Sequence, residues 1–163
     1  NDKDITIYFF SKQHHNFMNI AIASFSDNWL VGTGPKTFKF TCKLKEYRQK
    51  IIPVDGNMND GCSTHPHNLY LQVASEIGII GLSIIVVLLI YIIKVFLIQF
   101  YHIIFNKKTN YTDYQICLIV ACMISLWPIA PSYNVFGTWI SFIFYLPIGF
   151  LLSSLNFCNL KKY

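Results

Sequence analysis

Residues 62–79, CSTHPHNLYLQVASEIGI, concentrate side chains that can take up a proton or bind a polar ligand. The polar members of this segment that we consider first are His65, His67, Asn68, Gln72 and Glu76. The segment continues into an apolar run of about twenty residues, the length that crosses a bilayer. Because polar side chains are costly where a helix enters a membrane, their grouping here indicates a functional site at the membrane surface.

His67 suits the task of a general base, since a neutral imidazole with a pKa near 6.5 accepts a proton at neutral pH. Pro66 predicts that a helix begins there, capped by one of the three residues before it, because the first helical position needs no N–H group. The N–H groups of residues 67–69 would then favour a bound anion.

A helix that starts at Pro66 and continues without interruption would carry two stripes of side chains, since about 100° separates successive residues. The polar stripe consists of His65, Asn68, Gln72, Ser75 and Glu76. The other stripe consists of His67, Leu71, Ala74, Gly78 and Gly81. Small residues let a neighbouring helix approach closely, so His67 is expected to point into a seam between helices.

The composition is that of a membrane protein, because 53% of the 163 residues are hydrophobic and only 13% are charged. The net charge of +5 does not indicate nucleic-acid binding, since basic and acidic residues are interleaved and no basic helix appears. The apolar runs predict membrane spans near residues 77–98, 114–130 and 138–155. The chain begins at Asn1 without a signal-peptide pattern, and we expect it to be the C-terminal part of a longer polytopic protein.

The expected fold is an all-α integral membrane bundle. Residues 1–66 would form a periplasmic loop with a surface helix at about 14–30, and residues 67–163 would form the membrane region. The turn at 32–38 is expected to need positive φ at its glycines, and a lone G-x-G is not a nucleotide site. The lysines that follow the first and third spans would lie on one side, which the positive-inside rule makes cytoplasmic. Residue 67 would therefore face outward.

The pattern His67-Asn68-x-x-Leu71, followed by Glu76-x-Gly78-x-x-Gly81, resembles the central motif of the O-antigen ligase and O-antigen polymerase family. The resemblance implies an enzyme that transfers a glycan from a polyprenyl diphosphate carrier to lipid A core or to a growing polysaccharide. It places this activity at the outer face of the bacterial inner membrane and implies no metal or cofactor.

Within this resemblance, His67 matches the catalytic histidine. The residues expected to bind substrate are Asn68, Gln72, Glu76, His65 and Arg48. Arg48 is included because the family holds the diphosphate with arginines, and this chain has no other arginine. For Glu76, pairing with a lysine or with Gln72 is the structural alternative. His14, His15 and His102 are expected at headgroup level without chemistry, so that replacing His14 should have little effect.

Two other functions are compatible with the same residues. Cys62, His65 and His67 have side chains that suit zinc. A non-enzymatic transporter or flippase-type protein would use intramembrane polar residues to line a path. The second alternative is disfavoured because the polar cluster lies at the membrane surface, whereas transporter sites usually lie at the midplane.

The cysteine positions predict one disulfide. Cys42 and Cys62 flank the external loop, in a compartment where disulfides persist, whereas Cys117, Cys122 and Cys158 lie in or beside the spans. A bridge that closes a loop of roughly 20 residues should stabilise the fold by about 3 kcal/mol in the chain-entropy model.

The topology can be measured with reporter fusions. We expect a reporter that is active only in the periplasm to work when fused after Gly61 or at Tyr133. The same reporter should fail after Lys108 or Tyr163. The reverse pattern would overturn both the topology and the outward position of residue 67.

Overall fold

The computed structural model describes residues 11–48, 62–105, 107 and 111–160, with side chains described up to residue 154. All regular structure in this part is helical, which confirms the expected all-α class. The helices are α1 (Lys12–Asp27), α2 (Phe38–Thr41), α3 (Lys45–Arg48), α4 (Leu69–Ile104), α5 (Asp113–Ser125) and α6 (Thr138–Leu160). The chain forms two compact units that divide within α4 between Leu82 and Ser83. Residues 131–134 belong to the first unit together with the chain up to Leu82.

Helix α1 confirms the helix expected at about 14–30. Its N-cap is Ser11, whose side chain accepts a hydrogen bond from the His14 N–H group, and its C-cap is Asn28. Its buried residues recur every three or four positions and so form one face: Asn16, Phe17, Ile20, Ala21, Ala23 and Ser24. This face packs in a core with Phe38 and Tyr47.

A disulfide joins Cys42 to Cys62, with Cα atoms 5.2 Å apart. This is the pair expected from the sequence. Cys42 is fully buried in the core around α1, and Cys62 is half-buried against it. The bond therefore fixes the start of the segment that leads to His67.

The expected start of the long helix is wrong by three residues. Helix α4 begins at Leu69, and the Asn68 side-chain oxygen accepts a hydrogen bond from the Leu71 N–H group at 3.0 Å. Asparagine is a favoured N-cap residue, and Asn68 takes that role in place of a residue before Pro66. His67 has φ 57°, which excludes it from the helix. The two stripes drawn on one continuous helix therefore hold only from Asn68 to Ile77, because α4 is interrupted again at Gly78.

Helix α4 is also interrupted at Gly78, where φ is 75° and ψ is −163°. The backbone hydrogen bonds at this break are made by the loop that follows α1. The Ile79 N–H donates to the Trp29 carbonyl at 2.8 Å, and the Gly34 N–H donates to the Glu76 carbonyl at 2.8 Å. We call residues 29–38 and 75–79 together the loop–helix junction.

Glycines make the junction possible because the two backbones touch. A Cβ atom on Gly78 would overlap the backbone of Leu30, and a Cβ atom on Gly32 would overlap the backbone of Glu76. Gly32 and Gly34 have φ of 68° and 106°, which confirms the positive φ expected for this turn.

Glu76 completes the junction with its side chain. The carboxylate is fully buried and accepts hydrogen bonds from the N–H groups of Lys36 at 3.0 Å and Phe38 at 2.9 Å. Gln72 donates to the same carboxylate at 3.4 Å. Backbone donors therefore compensate for the removal of this charge from water.

Within the described chain, α4 is the one helix that is long and apolar enough to cross a membrane, judged by length and composition. Helix α5 has 13 residues, which rise only about 20 Å, less than the roughly 30 Å of a hydrocarbon core. In the second unit α5 packs against α6, and the Gln115 side chain donates to the Ser154 carbonyl at 3.1 Å. The second and third spans remain expectations.

The junction predicts that two glycine-to-alanine substitutions will have opposite effects. Gly78→Ala should lower the free energy of unfolding by more than about 2 kcal/mol, because its backbone conformation is one that essentially only glycine adopts and a Cβ would overlap Leu30. Gly149→Ala in α6, where no atom lies within 4 Å of the new Cβ, should be neutral or stabilise by up to about 1 kcal/mol. Thermal unfolding of the detergent-solubilised protein, followed by circular dichroism, measures both. Equal effects would contradict this account of Gly78.

Candidate active site

Three histidine rings meet beside the N-terminal end of α4. The ring centroids of His65 and His67 lie 4.1 Å apart, and those of His14 and His67 lie 5.3 Å apart. Phe17 stacks on His67 at 5.4 Å with an interplanar angle of 28°. The sequence pattern predicted a site that contains His65 and His67 but not His14. The structure places His14 in contact with His67.

The backbone of His67 is held in an uncommon conformation. Its φ of 57° lies in the left-handed region, which costs a residue with a Cβ atom about 1 to 3 kcal/mol unless its surroundings impose it. The His67 carbonyl accepts a hydrogen bond from the Ser132 N–H at 3.0 Å. Pro66 is fully buried. Contacts on both sides thus fix the direction of the His67 ring.

His65 is engaged through both ring nitrogens. Its Nε2 lies 3.0 Å from the Ser132 carbonyl oxygen, and because a carbonyl can only accept, Nε2 carries the hydrogen. Its Nδ1 lies 2.9 Å from the Thr64 hydroxyl and then accepts from it. Burial, followed by repulsion from His67, lowers the pKa of His65. His65 is therefore neutral, and its ring links the segment before α4 to Ser132. Neither ring nitrogen is left to take a proton.

His67 keeps one ring nitrogen available. Its Nε2 lies 3.2 Å from the Ser63 hydroxyl oxygen, while its Nδ1 has no hydrogen-bond partner among the residues that the structure describes. Burial and then the nearby His14 lower the pKa of His67, so the ring is neutral at neutral pH. A partly exposed, neutral imidazole with an open nitrogen can act as a base.

Of the other residues expected to bind substrate, Asn68, Gln72 and Glu76 make hydrogen bonds within the frame beside the histidines. Asn68 caps α4, and Gln72 donates to the Asn134 side chain at 2.7 Å. Gln72 and Glu76 are both fully buried. Arg48 is exposed at the end of α3, a helix that packs against α1. The buried side chains of Asn68, Gln72 and Glu76 hold this frame, and a role of these residues in substrate binding stays a prediction.

Several residues of this site lie beyond what the sequence pattern indicated. These are His14, Ser63, Ser132 and Asn134. No local spacing connects His14 or Asn134 to residue 67, because the contacts arise when distant segments meet. Ser63 stands four residues before His67, but serine at that distance carries no signal outside a helix.

Zinc is disfavoured by the disulfide, since Cys62 is bonded to Cys42 and offers no thiolate. The described residues contain no group of three or more metal-ligating side chains. His65 is also occupied on both nitrogens by oxygen partners.

The comparison with protein families identifies the stretch that holds this site. Residues 14–86 match the family model of the O-antigen ligases. No curated protein and no solved structure matches the chain. The matched stretch runs from His14 through the disulfide and the loop–helix junction into α4. The resemblance of this chain to the O-antigen ligase family is therefore confirmed for the residues that contain all three clustered histidines.

Proposed function

We propose that this chain transfers a glycan from a polyprenyl diphosphate carrier to an acceptor hydroxyl at the outer face of the bacterial inner membrane. The acceptor would be lipid A core or a growing polysaccharide. The observation that carries the proposal is the open Nδ1 of His67 in a histidine cluster at the start of the membrane-capable helix α4. The match to the O-antigen ligase family supports the same chemistry and does not favour a transporter.

The proposed step is a substitution at the anomeric carbon of the donor glycan. The acceptor oxygen forms the new C–O bond as its proton passes to His67. The bond from the anomeric carbon to the carrier diphosphate breaks, and the diphosphate leaves with the electron pair. A correctly placed base contributes about 100- to 10,000-fold to such a step.

The leaving diphosphate requires donors or positive charge. Because α4 begins at Leu69, only Leu69 of the predicted residues 67–69 places its N–H group in the first turn of the helix, where it could serve an anion. Arg48 stays a candidate for the same task, since it is exposed on a helix beside α1.

The topology proposed for this activity places His67 outside. Lys107 follows α4, and the positive-inside rule would put that end of the helix in the cytoplasm. The disulfide near the other end of α4 fits an oxidising compartment. The apolar runs at residues 114–130 and 138–155 would supply the second and third of the expected spans.

Replacing His67 tests the proposal most directly. In the intact membrane-embedded protein, His67→Ala should reduce glycan transfer by about 100- to 10,000-fold, because it removes the base. Transfer is measured with lipid-linked donor and acceptor in membrane vesicles, with and without a chelator. Gln13→Ala, at an exposed position next to His14, should retain activity. Transfer within threefold of the parent in His67→Ala would remove this histidine from the mechanism, and loss of activity with chelator would indicate a metal.

The pH dependence tests the influence of His14. Because the pKa of His67 is lowered below 6.5, its neutral form persists as the pH falls below 6.5, and kcat/KM should decline only at lower pH. His14→Gln removes one of the two causes of the lowered pKa, so the pKa of His67 should rise. The fall in kcat/KM on the acid side, the acid limb, should then begin at higher pH. His102→Gln, at the other end of α4, should leave the limb in place. An acid limb unchanged in His14→Gln would contradict this role.

A further inference from the structure

Ser63 is the side chain that hydrogen-bonds to the ring of His67. The Ser63 Oγ to His67 Nε2 distance is 3.2 Å. Residue 63 directly follows Cys62, which the disulfide ties to Cys42 in the buried core around α1. The position of the Ser63 hydroxyl is therefore set by a covalent anchor one residue away.

The contact bears on which ring nitrogen of neutral His67 carries the hydrogen, because the Ser63 hydroxyl can accept from an Nε2–H group or donate to an unprotonated Nε2. A hydrogen on Nε2 has an acceptor in the Ser63 hydroxyl. A hydrogen on Nδ1 would have no acceptor among the described residues. Buried backbone N–H groups without an acceptor are somewhat rarer in proteins than carbonyl groups without a donor, and we apply the same preference to the imidazole of His67. The arrangement thus favours the form with hydrogen on Nε2 and a lone pair on Nδ1.

We propose that Ser63 is a positioning residue that holds His67 in the Nε2–H tautomer, so that Nδ1 is the atom that receives the proton of the acceptor hydroxyl. The proposal rests on the proposed function for its catalytic meaning, although the tautomer itself is a property of the protein alone. In the reaction, Nδ1 binds the incoming proton while Nε2 continues to donate to Ser63. The ring therefore becomes an imidazolium without losing its orientation.

The neighbours of His67 agree with this assignment of nitrogens. His14 contacts the ring from α1, and His65 contacts it from the segment before α4. The hydrogen bonds of these two histidines go elsewhere, to Ser11 and to Thr64 and Ser132. Among the titratable groups that touch His67, neither competes for its Nε2.

Nitrogen-15 NMR of the full-length protein, labelled at histidine, tests the tautomer without any activity measurement. The His67 signals are identified by their loss in His67→Gln. At a pH where His67 is neutral, Nδ1 should show the chemical shift of an unprotonated nitrogen and Nε2 that of a protonated one. In Ser63→Ala, the two signals should move toward a mixture of tautomers. A protonated Nδ1 in the parent protein would overturn the proposal even if His67→Ala abolishes transfer.

Activity measurements distinguish a positioning role of Ser63 from a direct chemical role of its hydroxyl. Ser63→Ala should lower kcat by about 2- to 10-fold, the factor that one hydrogen bond contributes to an equilibrium, with little change in KM. Ser63→Thr, which keeps the hydroxyl, should restore most of the loss, and Ser26→Ala on α1 should have no effect. Loss in Ser63→Ala as large as that in His67→Ala would make the hydroxyl itself reactive and overturn the proposal. Unchanged kcat together with an unchanged tautomer would also overturn it.

Discussion

The candidate site depends on the hydrogen bonds that the buried carboxylate of Glu76 accepts. A charge removed from water must be compensated, and here the backbone N–H groups of Lys36 and Phe38 supply two hydrogen bonds. These bonds connect the loop after α1 to α4, whose N-terminal end lies beside the histidines. Gln72 links the same carboxylate to Asn134, so the segment at 131–134 is held by the same network.

The network explains why His65 and His67 differ in their ability to accept a proton. Ser132, two residues from Asn134, occupies Nε2 of His65 and also donates to the carbonyl of His67. His65 is thereby used as a structural tie, while His67 is turned so that one nitrogen stays open. The three imidazoles have the same intrinsic chemistry. Whether a ring can accept a proton at this site therefore depends on which of its nitrogens are already hydrogen-bonded to the surrounding residues.

Two constraints from opposite sides hold the segment before α4. The disulfide at Cys62 fixes its beginning, and the Asn68 cap fixes its end at the first turn of α4. His67 lies between them with φ 57°, a conformation that a free segment would leave. The neighbouring contacts hold this conformation, and uncommon backbone conformations of this kind are found preferentially at functional sites.

The sequence by itself determined the helical class, the cysteine pair, the positive φ of the turn at 32–38 and the polar face from Asn68 to Glu76. These features depend on local periodicity, on glycine or on the chemistry of a compartment, all of which are readable along the chain. Tertiary structure alone decided the break at Gly78, the later start of α4 and the contact of His14 with His67. Each of these depends on groups from a distant segment, the carbonyl of Trp29, the N–H of Ser132 or the packing of α1, and local patterns do not specify which distant partner arrives.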